Sequence, residues 1–398
     1  MIKRIRFKAR NLKCFLGWKL RNAFLGGVVV LLIFFSFSLT AGAENKTNLV
    51  PKVIKNRFSV AVKGGGTNLK SIRELKEMGI NVVFNYSGVR RELLRKNDIV
   101  FFLNVNVFFS NRKGDKEFAA IDHRGRSNVE DPVNPDEPRI TVCPTQEKFR
   151  SAKIEEIVNK VKRLAPDGVS LDFIRYPVHW ETVKTTEKAD QIRKFCFCDR
   201  CLARFQKEMQ ITIPAGLKGT SDKAAWILKN YRESWKDWRC GIITSMVKEI
   251  RTAVREIKPD ILIDIHAVPW RLEDYDEGIR LIVGQDFKEL ALHVDVFSPM
   301  VYHHMLRRRP EWIHSVVFEM DRLTRKPIWP CIQVISGKDF WRETPLSLED
   351  FKEAVLQAMK SPAQGISVIS WGRMKKSKDK MNIYRSFTKK PKNKIGGY

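Results

Sequence analysis

Residues 167–177, Asp-Gly-Val-Ser-Leu-Asp-Phe-Ile-Arg-Tyr-Pro, form the most informative segment of this chain. The segment predicts a short apolar strand that begins after an Asp-Gly turn and ends before a proline. The strand carries one carboxylate, that of Asp172, among residues that should be buried. An unpaired carboxylate in an apolar strand is costly, so Asp172 belongs either to a structural hydrogen-bond network or to a functional site.

The sequence around this segment alternates between strand-like and helix-like patterns. Eight apolar, strand-like runs are predicted, at residues 58–62, 81–86, 99–108, 169–176, 261–268, 294–302, 328–335 and 365–370. Helices are predicted between them, at residues 69–78, 90–95, 146–164, 224–257 and 347–359, the last with Ser347 as N-cap. This alternation predicts one (β/α)8 TIM barrel with loop insertions. A doubly wound open sheet is the alternative, but Gly64-Gly65-Gly66 fits neither a dinucleotide-binding nor a phosphate-loop motif.

The first 43 residues differ from the rest of the chain in composition. They contain eight Lys and Arg residues and no acid, with an apolar run at residues 23–39 before the small residues of 41–43. A basic segment, an apolar segment and a small-x-small site are typical of a secretory signal peptide, so we expect export with cleavage after Ala43. An uncleaved membrane anchor is the alternative, because a run of 17 residues is at the short limit for crossing a bilayer.

The chain has 398 residues and a net charge of +28, which falls to about +20 without the leader. We expect a linker at residues 44–56, the barrel at 57–373 and a frayed basic tail at 374–398. Such a charge attracts nucleic acid, anionic lipid or acidic glycan. Specific nucleic-acid binding is not expected, because the sequence lacks the aromatic and basic pattern of those domains. A hydrophobic content of 43% excludes a disordered protein.

In a (β/α)8 barrel the carboxyl ends of the strands meet at one mouth, where active sites lie. Aromatic, histidine and arginine side chains stand at these strand ends beside Asp172, namely Arg175, Tyr176, His266, Trp270, Tyr302 and Trp371. Rings stack on the apolar faces of sugars, and polar side chains hydrogen-bond the sugar hydroxyl groups. Each aromatic side chain alone could equally belong to the core, but together the six predict binding of a polysaccharide or glycan.

Cleavage of a glycosidic bond usually needs two carboxyl groups. One protonates the leaving oxygen, and the other attacks the sugar or activates water. Asp172 is the first predicted catalytic carboxylate. Asp264 is the predicted second, because alternation along its strand places it on the same inward face as His266. Glu273, Asp274 and Asp122 are the alternatives.

Cys196, Cys198 and Cys201 form a Cys-x-Cys-x-x-Cys cluster in the insertion after the fourth predicted strand. Three thiols this close together can bind one tetrahedral Zn²⁺ with a fourth ligand from elsewhere in the chain. Cys143 and His179 are the candidates for that ligand. A disulfide with one thiol left over is the alternative in an oxidising compartment. In either case we expect the cluster to brace the insertion and to take no part in catalysis.

The segment 167–177 resembles the fourth-strand signature of bacterial glycoside-hydrolase-like (β/α)8 barrels. Further segments resemble this group in the same order, at residues 119–125, 142–144, 294–302 and 365–371. The resemblance covers residues 58–371 and implies a barrel with Asp172 as the catalytic or substrate-binding acid. The cysteine cluster is similar to a structural zinc site in some β-galactosidase barrels. The Asp-x-Glu of chitinase-type barrels and the Asn-Glu of many retaining barrels are absent at Asp172, so no substrate carries over.

These observations predict an exported glycoside-hydrolase-like enzyme that uses carboxylate acid/base catalysis and needs no cofactor for it. Two other functions fit the same sequence. A non-catalytic glycan-binding barrel would account for the lack of an obvious second acid. A membrane-anchored scaffold would bind an anionic polymer through the basic tail at residues 374–398.

Overall fold

The computed structural model describes residues 57–133, 139–335 and 346–389. The parallel sheet in these ranges has eight strands, namely β1 (Ser59–Lys63), β2 (Val82–Asn85), β3 (Val100–Asn106), β6 (Gly168–Asp172), β7 (Leu262–Ala267), β8 (Val296–Pro299), β9 (Cys331–Gln333) and β10 (Gly365–Ile369). β4 (Phe109–Ser110) and β5 (Ile140–Thr141) form a separate antiparallel pair. All eight predicted strands are present, and most are shorter than predicted.

Helices connect the strands and follow the last of them. They are α1 (Leu69–Glu77), α2 (Arg91–Lys96), α3 (Glu147–Leu164), α4 (Asp199–Met209), α5 (Thr220–Asn230), α6 (Arg232–Ile257), α7 (Gly278–Leu281), α8 (Phe287–Leu290), α9 (Glu311–Thr324), α10 (Leu348–Met359), α11 (Trp371–Met374) and α12 (Lys378–Thr388). Residues 224–257 are largely helical as predicted, and they belong to two helices, α5 and α6, with Tyr231 between them. Ser347 caps α10 as predicted, since its side chain accepts a hydrogen bond from the amide of Asp350.

The strands follow the order β8-β7-β6-β3-β2-β1-β10-β9, and every neighbouring pair is parallel. A parallel bridge between Phe297 of β8 and Ile328, just before β9, links the two edge strands. The sheet therefore closes on itself with helices outside it. This arrangement confirms the predicted (β/α)8 barrel and excludes the doubly wound open sheet.

An apolar cluster fills the lower part of the barrel interior, formed by Ala61, Val82, Phe84, Val100, Phe102, Val296 and Trp329. A glycine makes room for one of its rings, because a Cβ on Gly168 would lie 2.3 Å from the ring of Phe102. Further along the strands the buried inward side chains become polar, with Asn104, Ser170, Asp264 and Ser298 on four neighbouring strands. The groups that can do chemistry therefore lie between an apolar base and the mouth of the barrel.

β6 ends at Asp172, four residues earlier than predicted. Phe173 has a φ of +51°, a left-handed conformation that non-glycine residues rarely adopt, so the chain turns out of the sheet there. Asp172 is thus the last residue of its strand. Its side chain follows Ser170 on the inward face and lies at the mouth of the barrel.

The C-terminal segment departs from the sequence prediction. Residues 378–388 form α12, where a frayed tail was expected. Tyr384 is fully buried, and its hydroxyl donates a hydrogen bond of 3.5 Å to the carbonyl of Ala61 in β1. Met381, Ile383 and Phe387 are partly buried in the same core. The prediction of a frayed tail is therefore wrong for these residues, because one apolar face of α12 packs on the barrel.

No helix within the described ranges is long and apolar enough to cross a membrane. The predicted signal peptide or anchor at residues 1–43 and the linker at 44–56 lie outside the described residues. Cleavage, export and anchoring therefore remain predictions.

Candidate functional site

A pocket of about 490 Å³ opens at the carboxyl ends of the barrel strands. Its lining includes the last residues of β1 and β6, Lys63 and Asp172. Aromatic side chains stand around them, namely Tyr86, Trp180 and Tyr302. The size of the pocket and its mixture of rings with a few charged groups are typical of small-molecule and sugar sites.

Asp172 is 6% exposed and is held at both carboxylate oxygens. Lys63 Nζ donates a hydrogen bond of 3.0 Å to Oδ2, and the amide of Phe173 donates one of 2.9 Å to Oδ1. Burial alone would raise the pKa of Asp172, but the charge and hydrogen bond of Lys63, together with the charges of other nearby basic groups, outweigh burial and lower the pKa to about 2. Asp172 is therefore ionised at neutral pH and cannot serve as a proton donor there.

Lys63 was missed at the level of sequence. It ends β1 after four buried residues, and its side chain reaches across the mouth to Asp172, 109 positions away in the chain. Burial would lower the pKa of Lys63, but the negative charge of Asp172 raises it overall, so the ammonium group stays charged. The only sign of Lys63 in the sequence was a lysine at the end of an apolar strand. Such a lysine is uninformative, because many strands end in a residue that is exposed to solvent.

Asp264 lies deeper in the barrel than Asp172. The register of β6 with β7 places Asp264 opposite Ser170, which is one inward-facing residue below Asp172. Its carboxylate accepts hydrogen bonds of 2.5 Å from Ser170 Oγ and 2.6 Å from Ser298 Oγ, and burial raises its pKa to about 7. Asp264 does not line the pocket. This geometry argues against Asp264 as the partner carboxylate, and its hydrogen bonds join β6, β7 and β8 instead.

The three alternatives for the second catalytic carboxylate also lie outside the pocket. Asp122, Asp274 and Glu273 form ion pairs with arginines, and none of them lines the pocket. Asp122 is fully buried between Arg126 and Arg193, which satisfies its charge. Such pairing indicates structural roles in the loops around the barrel.

Glu181 is a second carboxylate that lines the pocket with Asp172. It lies in the loop after β6, beside Trp180. Burial lowers the pKa of Arg175 and raises that of Tyr302, and the charges of Asp172 and Glu181 raise both. Both carboxylates therefore lie close to the same two side chains. Periodicity could not single out Glu181, because an irregular loop has no repeating pattern.

Two of the six predicted substrate-binding residues, Arg175 and Tyr302, line the pocket. Trp371 lines a neighbouring pocket, next to Gly65. His266 lies inside the barrel with its ring 5.3 Å from that of Phe84, and burial lowers its pKa to about 3. His266 is therefore uncharged at neutral pH. It lies below the pocket and does not line it.

The remaining two, Tyr176 and Trp270, belong to the core. Tyr176 is fully buried, and the guanidinium of Arg239 lies 3.9 Å from the centre of its ring. Trp270 packs against Tyr275 with their ring centres 4.6 Å apart. Tyr176 does not face the mouth because β6 ends four residues before it, so the strand alternation that predicted its position no longer holds.

The four predicted zinc ligands, Cys143, Cys196, Cys198 and Cys201, lie together, and their sulfur atoms are all within 4.8 Å of one another. Cys143 Sγ is 3.6 Å from that of Cys198 and 3.4 Å from that of Cys201. Four thiolates bound to one tetrahedral Zn²⁺ stand about 3.8 Å apart, so the spacing fits this ion. No disulfide joins them. His179, the other candidate ligand, lines a different pocket.

No protein-family model matches the sequence, and no curated protein matches it. Solved structures do match the fold. The glycoside hydrolase domain of PgaB (BpsB) from Bordetella bronchiseptica has a TM-score of 0.62 at 12% identity, covering 84% of this chain and 99% of that domain. The chain shares the (β/α)8 barrel fold of this domain.

Two β-galactosidases share this barrel. One, from Halorubrum lacusprofundi, has a TM-score of 0.55 at 12% identity over 79% of this chain and 52% of that one. The other, a GH42 enzyme from G. stearothermophilus, has a TM-score of 0.55 at 11% identity over 84% of this chain and 57% of that one. The chain thus spans about half the length of these enzymes. The likeness confirms the resemblance seen in the sequence at the level of fold, and activity has to be argued from the pocket.

Proposed function

We propose that the protein cleaves glycosidic bonds in a polysaccharide or glycan, with Asp172 and Glu181 as its two carboxyl groups. The main support is that both carboxylates line one pocket with aromatic side chains at the mouth of a barrel whose fold resembles that of a glycoside hydrolase domain. The mouth is where active sites of such barrels lie, and paired carboxyl groups are what glycoside cleavage requires.

The protonation states divide the two roles. Asp172, with a pKa of about 2, is the ionised group that attacks the sugar, stabilises positive charge on it or activates water. Another group must protonate the leaving oxygen. Lys63 is a poor donor because Asp172 raises its pKa. Glu181 takes the role of acid, as the other carboxyl group in the lining.

The rings supply sugar contacts. Burial raises the pKa of Tyr302 well above its ordinary value, so its hydroxyl stays protonated and can donate a hydrogen bond to a sugar oxygen. The ring of Tyr302 is held by Trp180, with ring centres 5.7 Å apart. Tyr86 lines the pocket and is 49% exposed, so its ring can stack on a sugar.

The test is a screen of the purified full chain against bacterial and plant polysaccharides, with product masses read by mass spectrometry. Asp172→Asn and Glu181→Gln are run beside the wild type. Glu256→Gln is the matched control, since Glu256 is exposed in the last turn of α6 and lines no part of the pocket. We expect oligosaccharides from the wild type and the control, and a loss of at least about 100-fold in both site variants.

Turnover by Asp172→Asn at the wild-type rate would refute the mechanism. Full activity of Glu181→Gln beside an inactive Asp172→Asn would refute the role of Glu181 alone. Binding of the protein to one glycan without formation of cleavage products would favour the second candidate, a non-catalytic glycan-binding barrel. The ion pair of Lys63 with Asp172 favours that candidate, because it partly neutralises the carboxylate.

We also propose that Cys143, Cys196, Cys198 and Cys201 hold one structural Zn²⁺. Support comes from the sulfur spacing and from the position of the site, which joins the segment before α3 to the insertion that contains α4. The ion would stabilise this insertion and would take no part in the reaction.

A further proposal is export with removal of residues 1–43. It is supported by the basic and apolar composition of that segment. N-terminal sequencing of the protein recovered from expressing cells should find Glu44 first. An intact Met1 on the exported protein would refute cleavage.

A further inference from the structure

The catalytic pocket is one part of a longer cleft. A second pocket of about 230 Å³ adjoins it, and Phe173, Arg175 and Glu181 line both. A third pocket of about 190 Å³ is also lined by Glu181 and runs along residues 182–186. The cleft therefore offers room on either side of Glu181 for sugar units beyond the bond that is cut.

Arg175 lies on the wall shared by the first two pockets and is only 6% exposed. Its Nη1 donates a hydrogen bond of 3.1 Å to the carbonyl of Val178, while its Nε has no hydrogen-bond partner. Within the described ranges, Arg175 forms no ion pair with a carboxylate, although Glu181 and Asp172 act on it from further away. A buried guanidinium without an ion-pair partner is costly, which points to an anion that arrives with the ligand.

The backbone and a ring hold Arg175 in this position. The guanidinium carbon lies 4.9 Å from the centre of the Phe173 ring. Phe173 itself has a φ of +51°. Strained conformations of this kind persist only where the surrounding structure enforces them, and they cluster at ligand sites. Arg175 is therefore positioned before any ligand binds, which limits the entropy lost on binding.

A second arginine stands in the lining of the second pocket. The guanidinium of Arg139 lies 4.7 Å from the centre of the Phe109 ring, an arrangement like that of Arg175 on Phe173. His179 lines the same pocket, and Glu181 is the single carboxylate among the lining residues that the structure describes. A guanidinium group is a planar fork of N–H donors that stacks on rings, and this geometry suits carboxylate and sulfate groups.

We propose that the second pocket is an anion-binding subsite, in which Arg175 and Arg139 bind a carboxylate or sulfate group carried by a sugar of the glycan. The substrate is then an anionic glycan, built from uronic acids or sulfated sugars. This inference rests on the proposed function only in placing the subsite next to the bond that is cleaved.

The test compares polymers that share a backbone and differ in whether they carry the anionic group. Polygalacturonate is paired with its carboxyl-reduced neutral form, and dextran sulfate with dextran. Affinities of the full-length wild type, Arg175→Gln and Arg139→Gln are measured by calorimetry. Arg322→Gln is the control, because Arg322 is an exposed residue in the last turn of α9 and its loss changes the net charge by the same amount.

We expect the wild type to prefer one charged polymer over its neutral partner. Arg175→Gln should weaken that binding roughly 10- to 100-fold and Arg139→Gln by less, whereas Arg322→Gln should change it less than about twofold. Preference for polygalacturonate would identify a uronate, and preference for dextran sulfate a sulfate ester. Equal losses in Arg175→Gln and Arg322→Gln would overturn the proposal, because they would show attraction by net charge alone. Equal affinity of the wild type for charged and neutral polymers would also overturn it.

Arg175→Lys covers the case in which Arg175→Gln does not fold. Lysine keeps the charge but loses the planar fork, so an intermediate affinity is expected and an unchanged one would refute recognition by the guanidinium. Hydrolysis is measured separately. Cleavage of neutral glycans alone would refute the anion-binding subsite and support the proposed hydrolase. Charge-selective binding without cleavage would support the subsite and refute the hydrolase.

Discussion

Replacing Lys63 by methionine removes the cation that faces Asp172 and keeps a side chain of similar length. The two side chains are 12% and 8% exposed, and their charged atoms lie 3.0 Å apart. Loss of one partner from such a pair leaves a buried charge uncompensated, which costs about 3–5 kcal/mol. The lowering of the Asp172 pKa from 3.8 to about 2 is a net effect that already includes the cost of burial, and it corresponds to about 2.5 kcal/mol. We therefore expect Lys63→Met to lower the free energy of unfolding at pH 7 by about 3 kcal/mol.

The same change has a defined pH dependence. In the wild type the pKa of Asp172 is below its ordinary value, so its contribution to stability is present above about pH 4 and is lost as the pH falls towards 2. In Lys63→Met, burial acts without the opposing cation, so the pKa of Asp172 should rise above its ordinary value. Protonation then relieves the buried charge. The difference in stability between the two proteins should therefore be largest near neutral pH and should shrink in acid.

The assay is urea unfolding followed by tryptophan fluorescence from about pH 3 to about pH 8. Wild type, Lys63→Met, Asp172→Asn and the double variant form a thermodynamic cycle. We expect a coupling of about 2 kcal/mol or more, with the double variant recovering stability because neither buried charge remains. A cost below about 1 kcal/mol for Lys63→Met, or a cost that does not change with pH, would refute the reasoning.

Three further predictions concern other parts of the barrel. Burial raises the pKa of Asp264 to about 7, so the free energy of unfolding of the wild type should fall by up to about 4 kcal/mol as the pH rises from about 4 to about 7. Asp264→Asn should flatten this pH dependence, and parallel urea-unfolding profiles of the two proteins would contradict the prediction. Metal analysis should find about one zinc per chain, with less zinc and a lower Tm in Cys198→Ser, and a zinc-free wild type would exclude the site. Tyr384→Ala should cost about 3–5 kcal/mol in the same unfolding assay, against less than about 0.5 kcal/mol for the exposed Lys378→Ala; equal effects would show that α12 is not packed.

The strands of the barrel could be predicted because alternation and apolar runs are properties of each element alone. Asp172 was predicted at the mouth because it is a carboxylate within an apolar strand, although that strand was predicted to continue to residue 176. The three cysteines at 196–201 indicated a metal site through spacing, but Cys143 joins them only because folding brings it there. α12 was not predicted because the several lysines of this segment obscure the pattern of apolar residues around Tyr384.

Sequence alone therefore determined the barrel, the place of Asp172 among the residues of its mouth and the close spacing of three of the four clustered cysteines. Tertiary structure decided the rest of the site. The stagger between β6 and β7 places Asp264 opposite Ser170 and below Asp172, and no single strand carries information about its stagger with a neighbour. Lys63 meets Asp172 across 109 positions because the carboxyl ends of the strands converge. Glu181 reaches the pocket from a loop, whose path depends on what it packs against and follows no repeating pattern.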